Sequence, residues 1–145
     1  MAGNAEKKKL YVGCGLTLAP QEFKDRVEEL KTELGHDWHV LDFLGLVAGT
    51  ATDVYQRDIV ENVGSCDAFV AIADEPSIGL GYELAIAVER HRKPVLATAH
   101  VSSKVTRMLL GAAEVHPNME FVPYEDMVAD VPGIVRVQFA HVLEA

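Results

Sequence analysis

Asp67-Ala68-Phe69-Val70-Ala71-Ile72-Ala73 is the stretch on which the fold of this chain turns. Six consecutive apolar residues, branched and aromatic among them and opened by an aspartate, describe a short buried strand. Downstream of it, Ile78-Gly79-Leu80-Gly81-Tyr82-Glu83-Leu84-Ala85-Ile86-Ala87-Val88 is too apolar for a solvated helix face and is therefore a helix buried against a sheet. Lys93-Pro94-Val95-Leu96-Ala97-Thr98 then reads as the next strand. Strand, helix and strand in that order imply a right-handed βαβ unit, whose strands are parallel.

The same alternation extends in both directions. Upstream, Leu10 to Cys14 is a strand entering a glycine loop. Pro20 to Leu34 is a helix, with Phe23, Val27, Leu30 and Leu34 at helical spacing and Gly35 as its stop. Trp38 to Phe43 is a second strand and 45–51 a flexible loop, after which Thr52 or Asp53 caps a helix running to about Val63. Toward the C-terminus, Ser103 to Ala113 is a helix, Glu120 to Val122 a short strand, and Val131 to Val142 a final helix. The fold class is α/β: one domain over 1–145, with 1–8 a disordered lead-in. About five strands form a flavodoxin-like doubly wound parallel sheet with helices on both faces. Ligands of such sheets bind at the carboxyl ends of the strands, where the loops 13–17, 45–52, 74–81 and 98–104 gather.

Composition narrows the function. The chain has 145 residues, enough for a sizeable core, and 49% hydrophobic with 24% charged residues is globular rather than disordered. A net charge of −9 speaks against a nucleic-acid surface, and Lys7-Lys8-Lys9 reads as a solvated approach to the first strand. Cys14 and Cys66 show neither metal-ligand spacing nor a disulfide framework, and the six histidines show no ligand spacing either, so no metal is assigned. With no leader or membrane span legible in the sequence, a cytoplasmic location is expected.

Two acids stand out. Glu83 is the only carboxylate between Glu75 and Glu89, inside a run otherwise apolar or glycine. Burying it without a partner is costly, so it has to be paired, perturbed or functional. The bland account is a first-turn acid favoured by the helix dipole. On the preceding helix Tyr55, Ile59 and Val63 mark an inward stripe, and Asp58 and Asn62 lie beside it. Asp58 by itself reads as a helix acid paired locally. Next to Glu83 it completes a two-carboxylate set of the kind used in glycosyl chemistry. Ser77 reads as a helix cap, Trp38 as core, Asp67 as a turn residue and Cys14 as a small buried hydrophobe.

Tyr11-Val12-Gly13-Cys14-Gly15, Tyr55-Gln56-Arg57-Asp58, Cys66-Asp67-Ala68-Phe69-Val70-Ala71, Pro76-Ser77-Ile78-Gly79-Leu80-Gly81-Tyr82-Glu83-Leu84 and Lys93-Pro94-Val95 occur in an order that resembles the nucleoside 2-deoxyribosyltransferase family, which also contains the 2'-deoxynucleoside 5'-phosphate N-hydrolases. The resemblance runs from about Lys9 to about Tyr124. It implies that Glu83 attacks C1' of a 2'-deoxyribosyl group, that Tyr11 hydrogen-bonds and tunes that glutamate, and that Asp58 takes part in proton transfer to the leaving base. It further implies that Gly13 and Gly15 let the first loop approach the base and that Ser77 and Gly79 contact the 5' end. Thr106 and Met108 would reach the 5' group from a neighbouring subunit, so that a homodimer or higher homo-oligomer shares its active sites. No cofactor is implied; the partners are a small 2'-deoxynucleoside or deoxynucleotide and a nucleobase, with neither nucleic acid nor membrane.

Two activities compete within the family. The Tyr-x-Gly-x-Gly loop resembles the transferases, and Leu16 and Thr17 stand where the phosphate-hydrolysing branch usually carries arginine or serine. Ser77 and Thr106 resemble the hydrolase branch instead, and Arg107 or Lys104 is available as a replacement cation. Transfer of the sugar to another base is the favoured expectation, and hydrolysis of a 2'-deoxynucleoside 5'-monophosphate the alternative. A non-catalytic nucleotide sensor is the reading from another class. A dinucleotide-binding module fails on Leu18, which stands where a third glycine is needed, and a receiver domain fails on Gly13 and Ala73, where it wants acids.

Overall fold

The computed structural model describes residues 6–44 and 48–145. Its five strands are β1 (Lys9–Cys14), β2 (His39–Leu41), β3 (Ala68–Ile72), β4 (Val95–Thr98) and β5 (Met119–Phe121). They form one all-parallel sheet in the order β2-β1-β3-β4-β5, the doubly wound order expected. β3 sits at the centre, and all five of its residues are wholly buried because helices cover both faces of the sheet.

Alternation along β1 sorts the core into two layers. Leu10, Val12 and Cys14 face α1 (Gln21–Leu34) and α5 (Met127–Gln138), where Val27, Leu30, Val131 and Val135 meet them. Trp38 belongs to this layer, edge-on to Phe139 at 6.0 Å. Tyr11 points the other way, stacked on Phe69 at 5.2 Å, toward α2 (Ala51–Tyr55), α3 (Ile78–Ala85) and α4 (Arg107–Val115). A short α6 (Ala140–Leu143) closes the described chain. No described helix is long and apolar enough to cross a membrane.

Several boundaries differ from the sequence expectation, each for a local reason. Thr50, rather than Thr52 or Asp53, caps α2: its side chain accepts the Asp53 N–H while the Asp53 carboxylate accepts the Thr50 N–H. The helix then continues over Gln56–Val63 with π-type winding, as in the Gly64 N–H to Ile59 carbonyl bond. The wider turn keeps Ile59 and Val63 inward but leaves Tyr55, expected on that stripe, 42% exposed. A similar π-type turn, Ile86–Arg90, ends the α3 helix. β2 stops at Leu41, and beyond it the Asp42 carbonyl accepts the Asn62 amide while the Leu44 N–H donates to Asp58. α4 starts at Arg107 rather than Ser103, with Thr106 as its cap. α5 starts at Met127, four residues before the expected Val131, because Asp126 accepts the Ala129 N–H; Pro132 sits in its second turn. Of the expected lead-in, residues 1–5 lie outside the described residues, and Lys7 is placed, donating to the Gly35 carbonyl at 2.8 Å. Of the expected 45–51 loop, 45–47 lie outside them too. Asp67 is the structural turn residue expected, accepting the Lys9 N–H at 2.7 Å.

The sheet order reverses between β1 and β3, so the chain leaves these strands toward opposite faces and a crevice opens at their carboxyl ends. Gly15 lies in it. A Cβ there would stand 2.8 Å from the Glu75 carbonyl oxygen and 2.9 Å from Ser77 Cβ. The oxygen belongs to the backbone and cannot swing away. Gly15→Ala is therefore expected to push the 75–77 loop outward and to lower stability by about 1–3 kcal/mol, read as a fall in Tm by calorimetry.

Candidate active site

α3 begins where Ser77 Oγ accepts the Leu80 N–H at 3.1 Å, so the expected helix cap is formed. Capping at Ser77 sets the rotation of the helix. Leu80 and Leu84 are buried against the sheet, and Glu83, between them, is drawn down with only 9% of its surface exposed. Beneath it lies Tyr11, wholly buried. The two groups act on each other's protonation, while neither Tyr11 Oη nor Glu83 Oε2 has a well-formed hydrogen bond.

The electrostatics follow from burial. Glu83 is pushed up to about 7, first by desolvation, with a smaller upward push from Asp58 and an opposing one from the Tyr11 hydroxyl. Burial, reinforced by Glu83, drives the Tyr11 phenol far above its ordinary value. It therefore stays a neutral donor at every working pH. Asp58 is also raised by burial, opposed by the Leu44 N–H that its Oδ1 accepts at 3.0 Å.

Glu83 and Asp58 line one cleft of about 300 Å³ between α3 and the Gln56–Val63 segment, with Ile59 and Gly79 in its walls. Tyr55 and Tyr82, edge-to-face at 6.3 Å, line it as well. On the other flank of the first turn of α3 is a cavity of about 400 Å³. Ser77, Leu80 and Gly81 face Lys104, Thr106 and Arg107 across it. This cavity is the larger, and the two acids lie in the smaller cleft. Among the described residues no three His, Cys, Asp or Glu side chains converge as metal ligands would.

A buried carboxylate beside a second acid, above a neutral phenol and at the edge of a solvent-open cleft, is suited to attack on a sugar carbon. Comparisons with known proteins found relatives in sequence and in fold. A protein of Methanococcoides burtonii that carries the name 2'-deoxynucleoside 5'-phosphate N-hydrolase 1 is 35% identical over 85 residues, 53% of this chain and 66% of that protein. This chain therefore spans just under two thirds of that relative's length. That similarity supports the resemblance of this chain to the nucleoside 2-deoxyribosyltransferase family. Two solved structures share its fold. The CMP N-glycosidase of Clostridium botulinum is 20% identical, with 88% of this chain and 98% of that one covered at a TM-score of 0.65. The 2-deoxyribosyltransferase of Leishmania mexicana is 15% identical, with coverage of 94% and 97% and a TM-score of 0.58. No protein-family model matches the chain.

Among the positions that the family resemblance marks, Glu83, Asp58 and Gly79 come together in the smaller cleft, and Tyr11 lies beneath Glu83. Gly13 is packed under Leu80 and against Phe69, where a Cβ would stand 2.9 Å from the Phe69 ring. Gly15 touches the 75–77 loop. Ser77 and Thr106 line the larger cavity, and Met108, 80% exposed, stands in a third groove between α3 and α4. Cys14 is the buried thiol expected; desolvation pushes it up to about 12. Sequence reasoning missed Tyr82 as a wall of the cleft, and it missed Asp74, whose carboxylate joins three loops. Only the sheet order brings Asp74's partners, 26 to 50 residues away, to its side chain.

Burying Glu83 carries a stability cost with a defined sign. The folded chain holds the Glu83 proton up to about pH 7, whereas the unfolded chain releases it near 4.5, the ordinary value for a glutamate. Stability is therefore full below about pH 4.5 and is lost as pH rises through about 7. Glu83→Gln removes that loss. Denaturant unfolding is expected to show the variant more stable than wild type at pH 8, by on the order of 3 kcal/mol, and little different at pH 4.

Proposed function

We propose that this protein breaks the N-glycosidic bond of a 2'-deoxynucleoside 5'-monophosphate through a covalent deoxyribosyl intermediate on Glu83. The observation that carries the reading is the pairing of Glu83 with Asp58 in one cleft, over Tyr11. A Glu83 carboxylate oxygen attacks C1', the C1'–N bond breaks, and its electron pair leaves with the base, which takes a proton from Asp58. Water then attacks C1', the Glu83 carboxylate departs, and the proton released by water returns to Asp58. The two acids interact, so the working form, Glu83 ionised and Asp58 protonated, is one microstate of a singly protonated pair. Tyr11, kept neutral, favours that microstate by donating toward Glu83. Tyr55 and Tyr82 offer the base an aromatic wall.

A 5'-phosphate is supported by Lys104 and Arg107, which share the larger cavity with Ser77 and Thr106 beside the N-terminus of α3. The name of the Methanococcoides relative points the same way. Transfer of the sugar to a second base is the other reading, and the Tyr-x-Gly-x-Gly loop favours it. A homodimer belongs to the proposal. Met108 stands exposed in an apolar groove of about 410 Å³ between α3 and α4, a surface suited to a second copy.

Incubating the protein with deoxynucleoside monophosphates, and separately with deoxyinosine plus adenine, separates the two outcomes. Free base with deoxyribose 5-phosphate is expected in the first; a new deoxynucleoside in the second identifies transfer. Glu83→Ala should lower base release by on the order of 10³-fold or more with the fold intact, and wild-type turnover in that variant would refute the mechanism. Because the working form belongs to the singly protonated pair, kcat/KM is expected to fall as pH rises above about 7, where the pair loses its last proton, and to fall again in acid, where both acids are protonated. Met108→Glu is expected to shift the protein toward monomer in analytical ultracentrifugation.

A further inference from the structure

Asp74 lies two residues beyond the end of β3, and its side chain is a meeting point of the loops after β3, β4 and β5. Its Oδ2 accepts three hydrogen bonds: from the Tyr124 hydroxyl at 2.7 Å, the His100 N–H at 3.0 Å and the Ser103 hydroxyl at 3.2 Å. Its Oδ1 is buried without a partner, and among the described residues no cationic side chain pairs with it. The surroundings are braced as well. The Val101 N–H donates to the Tyr124 carbonyl at 2.9 Å, and the His100 and Tyr124 rings meet edge-to-face at 5.7 Å. Three donors converge on this one oxygen, and the negative charge of the carboxylate makes each bond stronger than one to a neutral amide oxygen.

Among the described residues no hydrogen bond joins Asp74 to Glu83 or Ser77. Yet the loop it begins carries Glu75 and Ser77 to one wall of the larger cavity, and the loop it grips through His100 and Ser103 carries Lys104 and Thr106 to the facing wall. We propose that Asp74 is a positioning residue that sets the separation of these two walls and thereby the affinity of the site for a substrate's 5'-phosphate. The inference rests on the reading of that cavity as the 5'-phosphate subsite. The cleft of Glu83 and Asp58 lies on the opposite flank of the first turn of α3, so the bond-breaking step is largely insulated from the Asp74 cluster.

The test compares a deoxynucleoside 5'-monophosphate with the corresponding deoxynucleoside on wild type, Asp74→Asn and Tyr124→Phe. Asp74→Asn is expected to raise KM for the monophosphate about tenfold while leaving kcat for both substrates and KM for the nucleoside near wild type. Tyr124→Phe, which removes the 2.7 Å donor, should move the same ratio in the same direction by less. In the double variant the effect should be no larger than in Asp74→Asn alone, since both act through one cluster. If Asp74→Asn does not fold, Tyr124→Phe and Ser103→Ala carry the same comparison. A wild type that prefers the monophosphate, with variants whose preference is unchanged, overturns the inference alone. A wild type that cleaves both substrates equally well overturns the phosphate reading and the inference with it.

Discussion

Desolvation of one carboxylate organises this protein's site. Glu83 lies between Leu80 and Leu84 on a helix whose apolar face must pack on the sheet, so burying the leucines buries the acid. Removed from water, it holds its proton to about 7. The same removal makes the neighbours matter. Tyr11, driven far up in pKa, stays neutral, and Asp58 across the cleft adds to the upward push on Glu83.

The sheet supplies the rigidity this arrangement needs. β3 is buried along its whole length, and Phe69 on it stacks on Tyr11 of β1. The hydroxyl beneath Glu83 is therefore fixed by the two central strands rather than by a loop. Asp58 is held differently. Its helix winds in the π manner, and the Leu44 N–H anchors its carboxylate from the chain leaving β2. One acid stands on a helix braced by the sheet core, the other on an irregular helix braced by a strand exit. Irregular winding of this kind recurs at functional sites because it re-aims a side chain without breaking the helix.

In the proposed reading, the two cavities beside α3 divide recognition from chemistry. The cleft with the two acids is walled by Tyr55, Tyr82 and Ile59, surfaces suited to a flat ring and a sugar. The larger cavity adds Lys104 and Arg107 at the positive end of the same helix. A helix start capped by Ser77 thus serves both sides at once, and the close approach of Gly15 keeps the loop before it in place.

Much of this was legible in the sequence. The apolar run at Ala68–Ile72, the alternation of strands with helices and the isolated acid in the α3 helix each express a local rule, burial or periodicity, that needs no knowledge of distant residues. They determined the α/β class, the five strands and the singling out of Glu83, and the motif resemblance added Asp58 and Tyr11. Helix starts were less legible. The choice of Thr50 over Thr52, or of Asp126 ahead of Val131, turns on which side-chain oxygen meets a backbone N–H. Tyr55 was misplaced because a change from α to π winding leaves no periodic mark. The tertiary structure alone decided that Tyr82 walls the cleft of Glu83 and Asp58, and that Asp74 gathers Tyr124, His100 and Ser103. Sheet order and helix rotation set those meetings, and both arise from packing residues that lie tens of positions apart.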